Sequence, residues 1–151
     1  MIEGVLFREL KRNEDTRGWL AEIFRNDALD GFLSPVMGYL SLTALGISRG
    51  PHEHLEQTDF FCFPGVSSFR VYLWDNRKNN RNYREKLILE TSDKPCILII
   101  PPRIVHAYKN TGNVPGLVLN LPNRLYRGFG KKQEVDEVRY EHVPDSEFKI
   151  D

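Results

Sequence analysis

The chain has 151 residues, the usual length of one domain and enough to bury a sizeable hydrophobic core. Lysine and arginine together number 21, and so do aspartate and glutamate, so no overall positive field favours nucleic acid or a membrane surface. The first residues lack the apolar run of a signal peptide, and no segment is long enough to span a bilayer. We therefore expect a cytoplasmic protein without nucleic-acid or membrane partners, in which local arginines bind any anionic ligand.

Short apolar runs separated by Gly, Pro, Asn and Asp predict β-strands along most of the chain. The predicted strands are Gly4–Phe7, Trp19–Phe24, Val36–Leu45, Thr58–Phe63, Phe69–Asp75, Lys86–Glu90, Cys96–Ile100, Val105–Lys109 and Gly116–Leu121. Residues 127–151 are charged and weakly patterned, which predicts an irregular or short helical tail. Regular short strands without a long helical period indicate an all-β sandwich or barrel, formed by residues 1–151 as a single domain.

Three of the four histidines fall in two short strings, RGPHEH at residues 49–54 and PPRIVH at residues 101–106. Side chains two apart on a strand point to the same face, so His52 and His54 should project together. His106 lies in another apolar run and could reach the same cavity if the strands close into a barrel. Such a cluster suggests proton transfer or a metal site, because histidine titrates near neutral pH and ligates metals. The alternative is a set of hydrogen-bonded histidines at a barrel mouth.

The two strings resemble the two motifs of the cupin superfamily, which are small jelly-roll barrels. The first string gives His-x-His followed by Asp59, where cupins usually have Glu, and the second gives Pro-x-x-x-x-His. In cupins these side chains often hold a metal. If a metal is present, the resemblance implies His52, His54, Asp59 and His106 as its ligands.

A narrower resemblance extends over most of the chain. Residues 15–24, DTRGWLAEIF, resemble the Asp-x-Arg-Gly-Phe-Phe-x-Glu-x-Phe opening of dTDP-4-dehydrorhamnose 3,5-epimerases. Residues 41–52 fall on that family's Ser-x-Ser-x-x-Gly-Val-x-Arg-Gly-x-His segment, and residues 100–106 fall on its Ile-Pro-x-Gly-x-x-His segment. Because the three motifs occur in order from about residue 4 to residue 126, the chain is identified as a divergent member of that family.

This resemblance implies an isomerase that epimerises a dTDP-4-keto-6-deoxyhexose-like sugar by removing a proton next to the keto group. It also implies a cytoplasmic homodimer of the dTDP-rhamnose pathway and polysaccharide biosynthesis, with no cofactor and no metal. His52 would be the base and His54 a second catalytic histidine. Arg17 and Arg49 would hold the diphosphate or the keto oxygen, because guanidinium groups pair well with phosphate. The other expected substrate contacts are Glu22, Asp59, His106 and Asn120.

The chain departs from the family pattern at three places. The family's catalytic tyrosine should fall near Leu119 or Asn120, and neither is a phenol. The Gln and Asn that usually contact the nucleobase fall on Met37 and Tyr39. The acidic partner of the catalytic histidine has no clear match, and Glu141 in the tail is the nearest candidate.

Three other functions remain open. RGPHEH also resembles the Arg-Gly-x-His-x-His of sugar 3,4-ketoisomerases, whose paired histidines shuttle protons between adjacent carbons. That alternative accounts for His54 and for the missing tyrosine. A metal-dependent cupin oxygenase and a non-catalytic sugar-binding cupin are the remaining alternatives.

Overall fold

The computed structural model describes residues 1–29 and 33–151. Within this part of the chain the strands are β1 Leu6–Glu9, β2 Arg12–Asp15, β3 Gly18–Ala21, β4 Tyr39–Thr43, β5 Ser48–Glu53, β6 Asp59–Phe63, β7 Phe69–Asp75, β8 Lys86–Glu90, β9 Cys96–Ile100, β10 Ile104–Asn110, β11 Gly116–Asn120 and β12 Val138–Arg139. A short 3-10 helix covers Phe129–Lys131. No helix among these residues is long and apolar enough to cross a membrane.

Ten of these strands form two antiparallel sheets of five. The first sheet has the order β1-β9-β6-β11-β4, and the second has the order β12-β5-β10-β7-β8. Strands β2 and β3 form a separate hairpin. This nearly all-β arrangement confirms the predicted jelly-roll fold.

Period-two alternation determines which side chains enter the space between the sheets. On β6, Phe61 and Phe63 belong to the central core, whereas Phe60 and Cys62 face the opposite side. On β10, Ile104 and Tyr108 face the core, and His106 lies between them with the same orientation. Polar side chains at inward positions of these strands are therefore placed inside the molecule, where they must find partners.

The C-terminal tail covers the outer face of the second sheet. Tyr140, Phe148 and Ile150 pack against a buried cluster on β7 and β10 that includes Tyr72 and Trp74. The tail is largely irregular, as predicted, but it also contributes β12, which pairs with β5. It thereby lies beside the strand that carries the first histidine string.

Candidate functional site

The three histidines of the two strings meet between the sheets. His52 on β5 lies directly opposite His106 on β10 in the antiparallel ladder, and their ring centroids are 4.4 Å apart. His54 follows β5 immediately, and its ring centroid is 5.5 Å from that of His52. The alternation expected from the sequence therefore places His52 and His54 together.

Gly50 allows β5 to approach β10 closely next to this cluster. Its backbone has a φ of +85°, which favours glycine, and a Cβ at this position would lie 2.5 Å from the carbonyl oxygen of His106. The register between the two strands shifts between His106 and Tyr108. A larger residue at position 50 would push the strands apart and separate His52 from His106.

The carboxylate of Asp59 lies at the centre of the cluster and is buried. Its Oδ2 is 3.3 Å from His54 Nε2 and 3.2 Å from His106 Nε2. Its Oδ1 accepts hydrogen bonds of 2.9 Å from both Gln57 Nε2 and Asn120 Nδ2. Although burial raises the pKa of Asp59, the contacts with His106 and His54 outweigh burial and hold it well below the usual value.

His54 is held in its charged form by these surroundings. Burial lowers its pKa, but the hydrogen bond and negative charge of Asp59 outweigh burial and raise the pKa to about 9. The ring Nδ1 donates to the backbone carbonyl of Asp136 in the tail. At neutral pH His54 is therefore an imidazolium that is hydrogen-bonded on both sides.

His52 is held in its neutral form. Burial, followed by the neighbouring His106, lowers its pKa to about 2. Its Nε2 lies 3.8 Å from Oε1 of Glu137, whose side chain is mostly buried. Arg139 donates to the other oxygen of that carboxylate at 2.9 Å. His52 is therefore free to accept a proton at neutral pH, beside a carboxylate that could stabilise the resulting charge.

The tail supplies two acidic residues that the sequence did not single out. The side chain of Asp136 accepts the backbone N–H groups of residues 55, 56 and 57, at 2.9, 3.0 and 2.8 Å. Glu137 next to it approaches His52, whereas Glu141, the candidate from the sequence, pairs with Arg139 and His142. The only signal in the sequence was an acidic pair in a weakly patterned segment, and nothing indicated where that segment would lie.

A two-chambered cleft opens beside the histidines. The main chamber has a volume of about 500 Å³ and the second chamber about 340 Å³. Both chambers are lined by Tyr39, His52, Asn120, Glu137 and Arg139. His54 lines the main chamber and Arg49 the second. A cleft of this size accommodates a small ligand.

The structure brings some of the expected site residues together and leaves others apart. His52, His54, Asp59, His106 and Asn120 form one connected cluster. His106 is buried behind His52 and lines neither chamber.

The expected anion-binding residues lie apart from this cluster. Arg49 donates to Thr43 Oγ1 and to the carbonyl oxygen of Leu42, both at 3.0 Å. Arg17 lies in the β2–β3 turn, 88% exposed and paired with Asp15, and Glu22 after β3 pairs with Arg25. Within this single chain, Arg17 and Glu22 are outside the cleft.

The same cluster also fits the donor set of a divalent transition metal. One nitrogen from each of the three histidines and one oxygen of Asp59 lie within 4.8 Å of one another. His106 Nδ1 lies 2.9 Å from the carbonyl oxygen of Ile104, and the buried His106 Nε2 faces Asp59 Oδ2 at 3.2 Å without well-aligned hydrogen-bond geometry. Imidazoles oriented in this way commonly ligate metals. A metal here would use the lone pair that His52 needs as a base, so the two roles exclude each other.

Two curated proteins are clearly related in sequence. The chain is 35% identical over 130 residues to the probable low-salt glycan biosynthesis epimerase Agl13 of Haloferax volcanii, covering 83% of this chain and 81% of that protein. It is 29% identical over 129 residues to the spore coat polysaccharide biosynthesis protein SpsL of Bacillus subtilis, covering 83% of each. No model of a known protein family matches the chain.

Solved structures share the fold. A dTDP sugar isomerase from Desulfovibrio desulfuricans G20 superposes with a TM-score of 0.78 at 24% identity, covering 94% of this chain and 87% of that one. The dTDP-4-dehydrorhamnose 3,5-epimerase from Sulfolobus tokodaii superposes with a TM-score of 0.73 at 17% identity, covering 91% and 77%. At these identities the likeness establishes a common architecture.

Proposed function

The chain belongs to the dTDP-4-dehydrorhamnose 3,5-epimerase family of cupin-fold sugar isomerases, and from this premise we propose that it inverts a carbon next to the keto group of a nucleotide-linked 4-keto-6-deoxyhexose. The observation that carries this proposal is the position of His52, which lines both chambers of the cleft with its ring centroid 5.5 Å from that of His54. Proton abstraction next to a carbonyl needs an unprotonated base that faces the substrate and a group that stabilises the negative charge on the enolate oxygen.

His52 accepts the proton as the C–H bond breaks, and the bonding electrons move to form an enolate. The imidazolium of His54 stabilises the negative charge that develops on the keto oxygen. Asp59 keeps His54 charged, and Gln57 and Asn120 satisfy the other oxygen of that carboxylate. Asn120 also lines both chambers, and its Oδ1 atom is buried without a hydrogen-bond partner.

Arg49 binds the anionic part of the substrate in this proposal. Arg49 lines the second chamber, and His52 lines both chambers. A ligand that spans the two chambers therefore has its phosphates beside Arg49 and its sugar beside His52. Its hydrogen bonds to Thr43 and to the carbonyl of Leu42 orient the guanidinium group. A charge-assisted hydrogen bond to phosphate typically contributes ~1.5–3 kcal/mol.

We further propose that the active form is a homodimer in which Arg17 and Glu22 serve the partner's cleft. In support, both lie on or next to the β2–β3 hairpin, which is separate from the two sheets and projects Arg17 into solvent. Leu40 and Leu42 on β4 are 71% and 63% exposed, as expected for apolar residues that a second copy covers.

A cytoplasmic location is also part of the proposal. Cys62 and Cys96 are both buried, and each is a free thiol. Burial raises the pKa of Cys62 to about 11, so its reactive thiolate form is scarce at neutral pH. Free cysteines are typical of reducing compartments.

A 3,4-ketoisomerase is the second candidate. It is favoured by the placement of His52 near the end of β5 with His54 just after the strand, because a same-face shuttle between adjacent carbons needs two neighbouring groups. Inversion instead requires a proton donor on the opposite face of the sugar.

Incubation with dTDP-4-keto-6-deoxyglucose in D₂O, followed by NMR, tests the proposal. We expect deuterium at a carbon next to the keto group together with inversion at that carbon. His52→Ala should slow deuterium incorporation by about 10²–10⁴-fold with unchanged circular dichroism. Migration of the carbonyl without inversion identifies the ketoisomerase, and binding without exchange identifies a sugar-binding protein.

A further inference from the structure

Inversion of a carbon requires a base on one face of the sugar and a proton donor on the other. His52 and His106 lie on strands β5 and β10 of the second sheet, and His54 is the residue that follows β5. A proton that returns from these histidines arrives on the face from which it left. The donor for inversion must therefore stand on the wall formed by the first sheet, and the sequence motifs did not identify it.

Tyr39 is the phenol on that wall. It begins β4, at the edge of the first sheet, directly opposite Asn120 on β11 in the antiparallel register. Alternation along β4 places Tyr39 on the same face as Ser41 and Thr43, and that face points inward because Thr43 is buried and Ser41 Oγ is 3.0 Å from the Tyr108 hydroxyl. Tyr39 lines both chambers of the cleft, and so does His52.

The other tyrosines that line the cleft are placed differently. Tyr108 is on β10, in the same sheet as the histidines, and its hydroxyl already contacts Ser41. Tyr126 lies in the loop after β11 and lines only the main chamber. Asn120 also lines the first-sheet wall, but an amide does not release a proton at neutral pH.

We propose that Tyr39 is the general acid, delivering its hydroxyl proton to the enolate carbon on the face opposite His52; this inference rests on the proposed epimerase function. In this step the electron pair of the enolate forms the new C–H bond, the C=O bond is restored, and the Tyr39 O–H bond breaks. Solvent then returns a proton to the phenolate and removes one from His52. Tyr39 is 41% exposed, so water reaches it for this exchange.

The charges around Tyr39 keep it protonated until the enolate forms. Burial raises its pKa above the ordinary value, and the neighbouring phenol of Tyr126 and the carboxylates of Asp59 and Glu137 add to this effect. A phenol with a raised pKa is fully protonated at neutral pH and is available as a donor. The alternative is that the Tyr39 ring acts only as a flat contact surface for the ligand. Only the role as an acid requires the hydroxyl group, so removing the hydroxyl distinguishes the two roles.

Tyr39→Phe tests the proposal because it removes the hydroxyl and keeps the ring. Two rates are measured in D₂O with dTDP-4-keto-6-deoxyglucose: deuterium incorporation next to the keto group, and inversion at that carbon. We expect inversion to fall by about 10²–10⁴-fold while deuterium incorporation continues and KM is unchanged. Tyr83→Phe, which removes a phenol hydroxyl outside both chambers, is the matched control, and it should retain both rates.

Each other outcome overturns the assignment. Equal inversion rates in Tyr39→Phe and wild type would leave the ring as a contact surface only, and loss of inversion in Tyr126→Phe alone would make Tyr126 the donor. A rise in KM without a change in kcat would make Tyr39 a binding residue. If the wild-type protein incorporates no deuterium, the proposed epimerase function itself fails. This outcome differs from failure of the Tyr39 assignment alone, because His52→Ala would then have no effect on deuterium incorporation either.

Discussion

His52 and His54 are two residues apart on one face of a strand, yet their surroundings drive their pKa values in opposite directions. His52 is buried beside another imidazole, whereas His54 contacts the carboxylate of Asp59. One side chain is therefore a proton acceptor and the other a fixed positive charge at the same pH. The sequence His-Glu-His contains both residues, but the difference between their pKa values comes from Asp59 on β6 and His106 on β10.

NMR titration of the imidazoles measures this difference. We expect His52 to show no protonation down to pH 5, and His54 to lose its proton near pH 9. Asp59→Asn should lower the pKa of His54 from about 9, because the variant lacks the hydrogen bond and the negative charge that offset burial. Glu56→Gln removes a carboxylate that pairs with Arg124. This variant is the control and should leave the pKa of His54 unchanged.

The same shift has a consequence for stability. Because the folded pKa of His54 exceeds the unfolded value of 6.5, its contribution to the free energy of unfolding is complete below pH 6.5 and is lost as the pH rises through 9. An unfolding series that compares wild type with His54→Gln should therefore show a larger difference at pH 6 than at pH 9. A difference that grows with pH would contradict the assignment of His54 as the charged histidine.

At the scale of elements, the tail segment 134–139 contacts the loop after β5 through one residue, Asp136, and contacts β5 itself through β12. Asp136 accepts three consecutive backbone N–H groups, and its carbonyl accepts from His54. This connection holds Glu137 near His52. The tail therefore forms one wall of the cleft.

Asp136→Ala should release this segment. We expect a loss of about 1–3 kcal/mol in the free energy of unfolding, because three N–H groups lose a charged acceptor in a partly solvated loop. Amide hydrogen exchange at residues 55–57 should accelerate, as measured by NMR. Asp145→Ala, at an exposed acidic position of the same tail, should change neither quantity, and unchanged exchange in Asp136→Ala would show that other contacts hold the tail.

The sequence predicts elements best where apolar residues dominate. β7, β8 and β9 match their predicted bounds residue for residue, because Phe69–Asp75, Lys86–Glu90 and Cys96–Ile100 are rich in branched and aromatic side chains. β5 was not among the predicted strands, since Ser48–Glu53 contains Gly, Pro and charged residues. It is a strand because pairing with β10 and β12 outweighs its weak local preference.

The candidate site is likewise predictable where its residues belong to strands and to known motifs, and unpredictable where they belong to the irregular tail. The pairing of His52 with His54 follows from period-two alternation, and its proximity to Asp59 and His106 could be inferred from the cupin motifs. Glu137 and Asp136 could not be, because their position depends on how an irregular tail packs across the second sheet. Long-range packing of weakly patterned segments leaves no periodic signal in the sequence.

At the scale of the whole molecule, the sandwich places one buried donor cluster at a site that could serve either a metal or proton transfer. A metal would neutralise Asp59 and occupy the imidazole lone pairs, whereas proton transfer requires His52 to be unligated. Family membership favours proton transfer. The metal content of the protein therefore decides between two chemistries for the same four side chains.

We expect purified protein to contain no stoichiometric transition metal and to keep its deuterium-incorporation activity after treatment with EDTA. Elemental analysis by mass spectrometry and the NMR assay measure these two properties. The physical reason is that Asp59 is already paired with His54 and with two amide donors. Iron, zinc or manganese at one per chain, with activity lost on chelation, would assign the cluster to metal binding instead.

The histidines and Tyr39 stand on opposite sheets, and residues 44–47, which join β4 to β5, lie at the ends of these two strands away from Tyr39 and His52. Mutation can therefore alter one wall while the packing of the other stays intact. Under the proposed mechanism, losing the phenol at the start of β4 would abolish stereochemical inversion while the base on β5 continued to form the enolate. If the stereochemical outcome depends on this one side chain at a sheet edge, as proposed, a single substitution there is a short evolutionary route between related isomerases.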